Sequence, residues 1–162
     1  MQDWALILGS SSGFGAATCR ELAKHGINIY GIHLDRKAGI DRVNNLVDDL
    51  KNSGVEVHFN NMNATDASKR QVVIDELKSR GNIRVKIFLH SLAFGTLRPA
   101  IDADASSALQ QSQVEMTHNV MGNSLLFWVQ DLYQANLLQK GSQIFAMTSA
   151  GGHRQWKTYG AV

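Results

Sequence analysis

The sequence has one cysteine and one proline among 162 residues, and neither an apolar run of membrane-spanning length nor a block of like charges. Each shortage removes a class of protein. Cys19 alone cannot close an internal disulfide, so the small cross-linked folds of oxidising compartments are excluded and a cytoplasmic location is expected. On the buried face of a first helix it reads as a small apolar residue. A single proline, Pro99, and little low-complexity sequence argue against linkers and disordered tracts. Sixteen Lys and Arg against 14 Asp and Glu leave a net charge of +2, without the basic stripe that nucleic-acid binding requires. The N-terminus, Met1-Gln2-Asp3-Trp4, has no basic n-region and no apolar core, so neither a signal peptide nor a membrane span is expected.

What is present is 44% hydrophobic sequence with 14 glycines, of a size that one domain over residues 1–162 accounts for. Strand-like and helix-like stretches alternate. Residues 4–8 are apolar and lead through glycines into an amphipathic segment ending near His25. Residues 27–34 read as a second strand entered through Gly26. Val43, Leu46, Val47 and Leu50 share a helical face that Gly54 closes, and residues 55–59 alternate as a third strand. Asp66 or Ser68 caps a helix whose Val72, Val73, Ile74 and Leu77 face the sheet; Gly81 ends it, and residues 85–89 form a fourth strand. A long helical region is expected over residues 106–139, with Val120, Leu125, Leu126, Val129, Leu132 and Leu137 apolar, before a fifth strand at 142–148. Five such repeats with short joints predict an α/β fold: a Rossmann-like, doubly wound parallel sheet, incomplete at its C-terminal side.

The chemistry concentrates between the first strand and first helix, in Gly9-Ser10-Ser11-Ser12-Gly13-Phe14-Gly15. A strand, a glycine turn and a helix in that order form a dinucleotide-binding unit. Gly9 permits the tight turn, Gly13 lets backbone amides approach a pyrophosphate, and Gly15 lets the helix pack against the strand. The helix N-terminus offers unpaired N–H groups and a positive dipole end. Gly9, Ser11, Ser12, Gly13, Phe14 and Gly15 are therefore candidate cofactor contacts. Asp35-Arg36-Lys37 follows the second strand, where a carboxylate receives an unphosphorylated ribose and a cation receives a 2′-phosphate; both signs are present.

The Gly-x-x-x-Gly-x-Gly spacing resembles the fingerprint of the short-chain dehydrogenase/reductase family, which usually carries Thr at the position of Leu8. After the fourth strand, His90-Ser91-Leu92-Ala93 replaces the family's usual Asn-Asn-Ala-Gly and resembles the enoyl-acyl carrier protein reductases. Gly95-Thr96-Leu97-Arg98-Pro99 is similar to the same segment of their NADPH-dependent group. The resemblance implies that Ser91, Leu92 and Ala93 cover the cofactor. It implies that Asn63 and Ala64 meet the adenine, although a turn-forming Asn is equally explained by local structure. It also implies that Arg36 takes the 2′-phosphate, so NADPH is expected rather than NADH. His90 reads as a hydrogen-bonded histidine at a strand end, and none of the six histidines has metal-ligand spacing.

In the family a Ser at the end of strand five and a Tyr on the next helix are the catalytic pair, here Ser149 and Tyr159. Hydride delivery leaves negative charge on a substrate oxygen, and a Tyr hydroxyl donates there when a nearby cation lowers its pKa. The ten-residue interval equals that between the two active-site tyrosines of enoyl reductases, with Ser149 standing where the first is usual. Counting back from Leu126-Phe127 puts Met121, not Asn119, at the family's active-site Asn. The implied function is NADPH-dependent reduction of trans-2-enoyl-acyl carrier protein in fatty-acid synthesis. A 3-oxoacyl or other carbonyl reductase, or a non-catalytic nucleotide-binding remnant, is the alternative. The implied partners are an acyl thioester on acyl carrier protein and a second copy of the chain. The family's Lys follows the Tyr by four or seven residues, whereas this sequence has three residues after Tyr159; a truncated chain, inactive by itself, is expected.

Overall fold

A computed structural model describes residues 1–162. Five strands form one parallel sheet in the order β3-β2-β1-β4-β5: β1 is Gln2–Leu8, β2 Asn28–His33, β3 Val57–Asn61, β4 Ile83–His90 and β5 Gln143–Ala146. The first three crossovers are helices α1 (Gly13–Lys24), α2 (Lys37–Lys51) and α3 (Ala67–Ser79). The fourth holds α4 (Gln111–His118) and α5 (Ser124–Gln134), joined by a π turn over Asn119–Asn123.

The alternation of β1 explains the two layers. Trp4, Leu6 and Leu8 point to one face and pack with Val73, Ile74 and Leu77 of α3 and Trp128 and Leu132 of α5. Ala5 and Ile7 point to the other, against Ala16, Cys19 and Ala23 of α1 and Leu46 and Leu50 of α2. Every residue from Trp4 to Leu8 is fully buried, as a central strand covered on both faces must be. Burial also pushes the Cys19 thiol up to about 12, so it is a packing residue here. Because β1 pairs with both β2 and β4, the chain winds outward on one side of it and then crosses to the other. A crevice opens at such a reversal, beyond the C-terminal ends of the strands.

Several local expectations shift. The third strand begins two residues later than the alternation predicted and runs through Asn60 and Asn61, which pair with Ile32 and His33 of β2. Glu56 instead closes its entry, its N–H donating to the Asn28 side chain at 2.9 Å. Asp66, not Ser68, caps α3, accepting from the amides of Ser68 and Lys69. Val72 is exposed, and the nearly buried Arg70 takes that part of the face, with its guanidinium bonded to Asp131 of α5. The long helix does not start at Ser106, because Asp104 draws the Ser106 amide and the Ser106 and Ser107 hydroxyls into a turn. It starts at Gln111, after the Gln113 side chain accepts the Gln110 amide at 3.1 Å. Leu126, expected inside, is exposed, while Trp128 is wholly buried.

Candidate functional site

The glycine turn is built as close packing demands. Gly9 has φ +82°, and a Cβ there would lie 2.3 Å from the Ser91 carbonyl oxygen. A Cβ on Gly15 would lie 2.1 Å from the Gly9 carbonyl oxygen. These two residues let the end of β1, the start of α1 and the loop after β4 share one small space. Gly13, at φ +52°, has nothing within 4 Å of where its Cβ would stand; its constraint is the backbone angle alone. No side chain caps α1 and no acidic residue occupies its first turn, so its positive end is uncompensated.

A cleft of about 470 Å³ opens over this turn at the C-terminal ends of β1, β2, β3 and β4. Gly9, Ser11, Ser12, Gly13 and Phe14 line it, and beside them Ser91, Leu92 and Ala93 from the loop after β4. Asn63 and Ala64 close the end beside β3. The Asn63 side chain also makes the local turn, accepting from the Thr65 amide at 3.0 Å and hydroxyl at 2.9 Å. Trp128 fixes this loop from below, its indole N–H donating to the Ala64 carbonyl at 2.9 Å. Two of the predicted cofactor contacts stand elsewhere. Gly15 lies beneath the turn rather than in the wall, and Arg36, at the exposed start of α2, does not line the cleft.

Sequence reasoning missed His33, Met116, Asn119 and Phe94, all of which line the cleft. Phe94 and Phe14 are exposed apolar rings at its sides. Asn119 is brought there with Val120 by the π turn, whereas Met121 is turned toward Gly95. Counting helical positions could not find this, because a π turn adds a residue to the repeat. His90 is buried and its Nε2 lies 2.8 Å from the Ser124 hydroxyl, which donates to the Val120 carbonyl at 2.7 Å. Burial holds the His90 imidazole below its ordinary pKa of 6.5.

At the end of β2, His33 is buried and its Nδ1 lies 3.0 Å from Asp35 Oδ2. Arg42 donates to Asp35 Oδ1 at 3.2 Å. Burial pushes the Asp35 carboxyl up, but hydrogen bonds from Ser11 and His33 with the charges of His33 and Arg42 outweigh it, leaving it below the usual carboxylate range.

Beyond β5, the Ser149 hydroxyl and Tyr159 hydroxyl are 3.3 Å apart. Neither lines the cleft. Tyr159 is not on a helix; it bridges to Arg98 in an extended segment, packs its ring over Gly151 and meets Trp156 edge-on at 4.9 Å. Ser149 is held by the Gly151 amide, which donates to it at 3.1 Å. No helix is long and apolar enough to cross a membrane.

The family model described as enoyl-(acyl carrier protein) reductase matches residues 9–162. A short-chain dehydrogenase/reductase from Serratia marcescens superposes with a TM-score of 0.81 at 19% identity, over 99% of this chain and 60% of that one. NAD+-bound xylitol dehydrogenase gives 0.80 at 14% identity, over 99% and 57%. An alcohol dehydrogenase from the archaeon Thermococcus sibiricus, complexed with 5-hydroxy-NADP, gives 0.73 at 18% identity, over 99% and 64%. The chain thus spans less than two thirds of the length of these solved structures. With the family match running from the first glycine of the turn to the last residue, the chain belongs to the short-chain dehydrogenase/reductase family.

Proposed function

We propose that the protein is an NAD(P)H-dependent oxidoreductase that reduces a trans-2-enoyl thioester carried on acyl carrier protein. The observation that carries this is the cleft at the reversal of the sheet, with a glycine turn on one wall and a Ser–Tyr hydroxyl pair beyond β5. The cradle fits a dinucleotide: Gly9 and Gly15, where a Cβ would meet backbone, let the turn fold tightly beneath it, and the uncapped N-terminus of α1 faces it. Amides of residues 13–15 would hold the pyrophosphate, and Asn63 and Ala64 would meet the adenine. Ser91, Leu92 and Ala93 would cover the cofactor from the loop after β4 and exclude water. When bound, the nicotinamide supplies a hydride, which adds to C3 of the enoyl group.

The electron pair of the double bond would then move toward the thioester oxygen, and C2 of the resulting enolate would take a proton from water to complete the saturated product. Tyr159 would hold its hydroxyl proton at that oxygen, where a well-placed donor contributes about 10²–10³ in rate. Ser149 holds the Tyr159 hydroxyl by a 3.3 Å contact and limits its rotation. That contact also favours a second reading. Two hydroxyls so close together suit one ketone oxygen, as in a 3-oxoacyl or other carbonyl reductase.

The experiment is turnover of crotonyl and acetoacetyl thioesters with NADH and NADPH by the protein at its relatives' full length, with Tyr159→Phe beside it. Crotonyl reduction that falls about 10²-fold or more in Tyr159→Phe, with cofactor affinity unchanged, is expected. Acetoacetyl reduction alone would transfer the assignment to the carbonyl reading, and binding without turnover of either would defeat both.

A further inference from the structure

Two contacts tie the loop after β4 to the helical crossover that follows it. His90, 3% exposed, is the last residue of β4, and its backbone is paired with Leu8 of β1 and Ala146 of β5. Its Nε2 lies 2.8 Å from the hydroxyl of Ser124, the first residue of α5. At the far end of the loop the Thr96 amide donates at 3.0 Å to Oγ1 of Thr117, a wholly buried residue of α4. Between these two points a Cβ on Gly95 would come within 2.7 Å of Thr117 Cγ2 and 3.1 Å of Met121 Sδ. The contacts enclose Ser91 to Phe94 in the loop and Asn119 and Val120 in the π turn, and all of these line the cleft.

The π turn has a local cause in Ser124. In an α-helix the residue-124 amide would donate to the Val120 carbonyl, one regular repeat back. Here it donates to the Asn119 carbonyl, and the Ser124 hydroxyl takes the Val120 carbonyl instead, at 2.7 Å. A hydroxyl bonded back to its own helix in this way bends it. With its one hydrogen spent on Val120, Ser124 Oγ can only accept from His90. Burial holds the His90 ring below its ordinary pKa, so near neutrality it carries a single hydrogen, and that hydrogen is on Nε2. Without the hydroxyl, the residue-124 amide is free to return to Val120 and the segment closes into a regular helix. Closing it turns Asn119 and Val120 by one helical position, about 100°, relative to α5.

We propose that His90 is a positioning residue: by donating through Nε2 to Ser124 it holds the π turn, and so keeps Asn119 and Val120 in the cleft lining beside Ser91 to Phe94. Its effect on the reaction rests on the cofactor reading above. The strands run β3-β2-β1-β4 across the cleft. A dinucleotide with its adenine at Asn63 and its pyrophosphate over the glycine turn would therefore bring its nicotinamide to the β4 end. The π turn lies in the crossover that leaves β4 and shapes that end. Displacing it leaves the adenine and pyrophosphate contacts in place and loosens the reacting ring, which lowers the rate more than the affinity.

The test compares the protein at its relatives' full length with Ser124→Ala, His90→Leu, His90→Gln and the double variant Ser124→Ala/His90→Leu. Calorimetry reads NADH and NADPH affinity, steady-state kinetics read kcat with whichever of crotonyl and acetoacetyl thioester the parent reduces, and crystallography reads the backbone around the turn. Ser124→Ala and His90→Leu should each close the π turn, with the residue-124 amide on the Val120 carbonyl, and lower kcat by about 10- to 100-fold. Cofactor affinity should stay within about threefold of the parent. The amide N–H of His90→Gln reaches the same hydroxyl and should return kcat to within about threefold. The double variant should lose no more than either single one, because the two side chains act as a unit. A merely structural role lowers the melting temperature, leaves kcat unchanged below it and shows no rescue by glutamine. Retention of the π turn or of kcat in Ser124→Ala overturns the role of His90 and leaves the cofactor reading intact; His90→Leu against His90→Gln decides the same point if Ser124→Ala does not fold. Failure of the parent to bind or turn over overturns the cofactor reading and the effect on rate, while the backbone of Ser124→Ala still decides whether the turn is held in this way.

Discussion

Replacing Gly15 by Ala tests whether the glycine turn is a matter of packing rather than of loop composition. The new Cβ would stand 2.1 Å from the Gly9 carbonyl oxygen and 2.8 Å from its carbon. Ordinary contact begins more than an ångström further out, and the obstacle is backbone, which has no rotamer to change. Overpacking of this kind costs about 1–3 kcal/mol, occasionally more, and rigid neighbours put Gly15→Ala near about 3. For a domain of this size that lowers the melting temperature by about 6–12 °C. Gly13→Ala is the control, since its Cβ meets nothing within 4 Å and its φ of +52° is the only penalty. That left-handed angle costs about 1–2 kcal/mol, or about 2–8 °C. Thermal unfolding by circular dichroism reads stability, and dinucleotide titration of the folded variants reads the cleft. Gly13→Ala should keep its fold and lose affinity, because its methyl group occupies the space between the amides and the pyrophosphate. If Gly15→Ala melts within about 2 °C of the parent, or Gly13→Ala is the less stable of the two, the packing account of the turn is wrong.

Trp128→Phe should cost about 1–3 kcal/mol by leaving the Ala64 carbonyl without its donor, and it should weaken dinucleotide binding because the Asn63–Ala64 loop loses its support; unchanged affinity in calorimetry would refute that link. Stability should fall on acidification from the ordinary histidine pKa of 6.5 downward, because burial holds His90 below that value in the folded state and the unfolded chain takes up the proton first. Melting temperatures from about pH 8 to about pH 5 should show this loss reduced in His90→Asn, which cannot titrate; parallel profiles would exclude His90 as its source.

Much of the architecture could be read from local patterns because it depends on short-range physics. Trp4 to Leu8 had to be a strand covered on both faces, and Gly9, Gly13 and Gly15 had to turn it into a helix. Asp66, Gly54 and Gly81 marked helix ends by chemistry that acts within a few residues. The same holds for the cleft walls formed by Ser11, Ser12, Phe14, Asn63, Ala64 and Ser91 to Ala93, each of which directly follows a strand and so lies at the same edge of a parallel sheet.

What failed to show in the sequence depends on distant partners. Val72 and Leu126 are apolar and periodic, yet the face they would share is occupied by the Arg70–Asp131 pair and by Trp128. The π turn at Asn119–Asn123 interrupts the helix repeat, and Asn119 and Val120 line the cleft while Met121 does not. Arg36 and Asp35 are neighbours in the chain and neither lines the cleft, yet the carboxylate is drawn in and the guanidinium is exposed. Only the third dimension separates them, because Asn61 of β3, Gly39 and Arg42 of α2 and His33 of β2 draw the carboxylate in, while nothing draws the guanidinium. Periodicity and turn chemistry are properties of a few consecutive residues and so determined the strands, the turns and the edge where the cleft lies. Side-chain direction at that edge is a contest among groups up to 26 residues apart, and tertiary packing alone decided it.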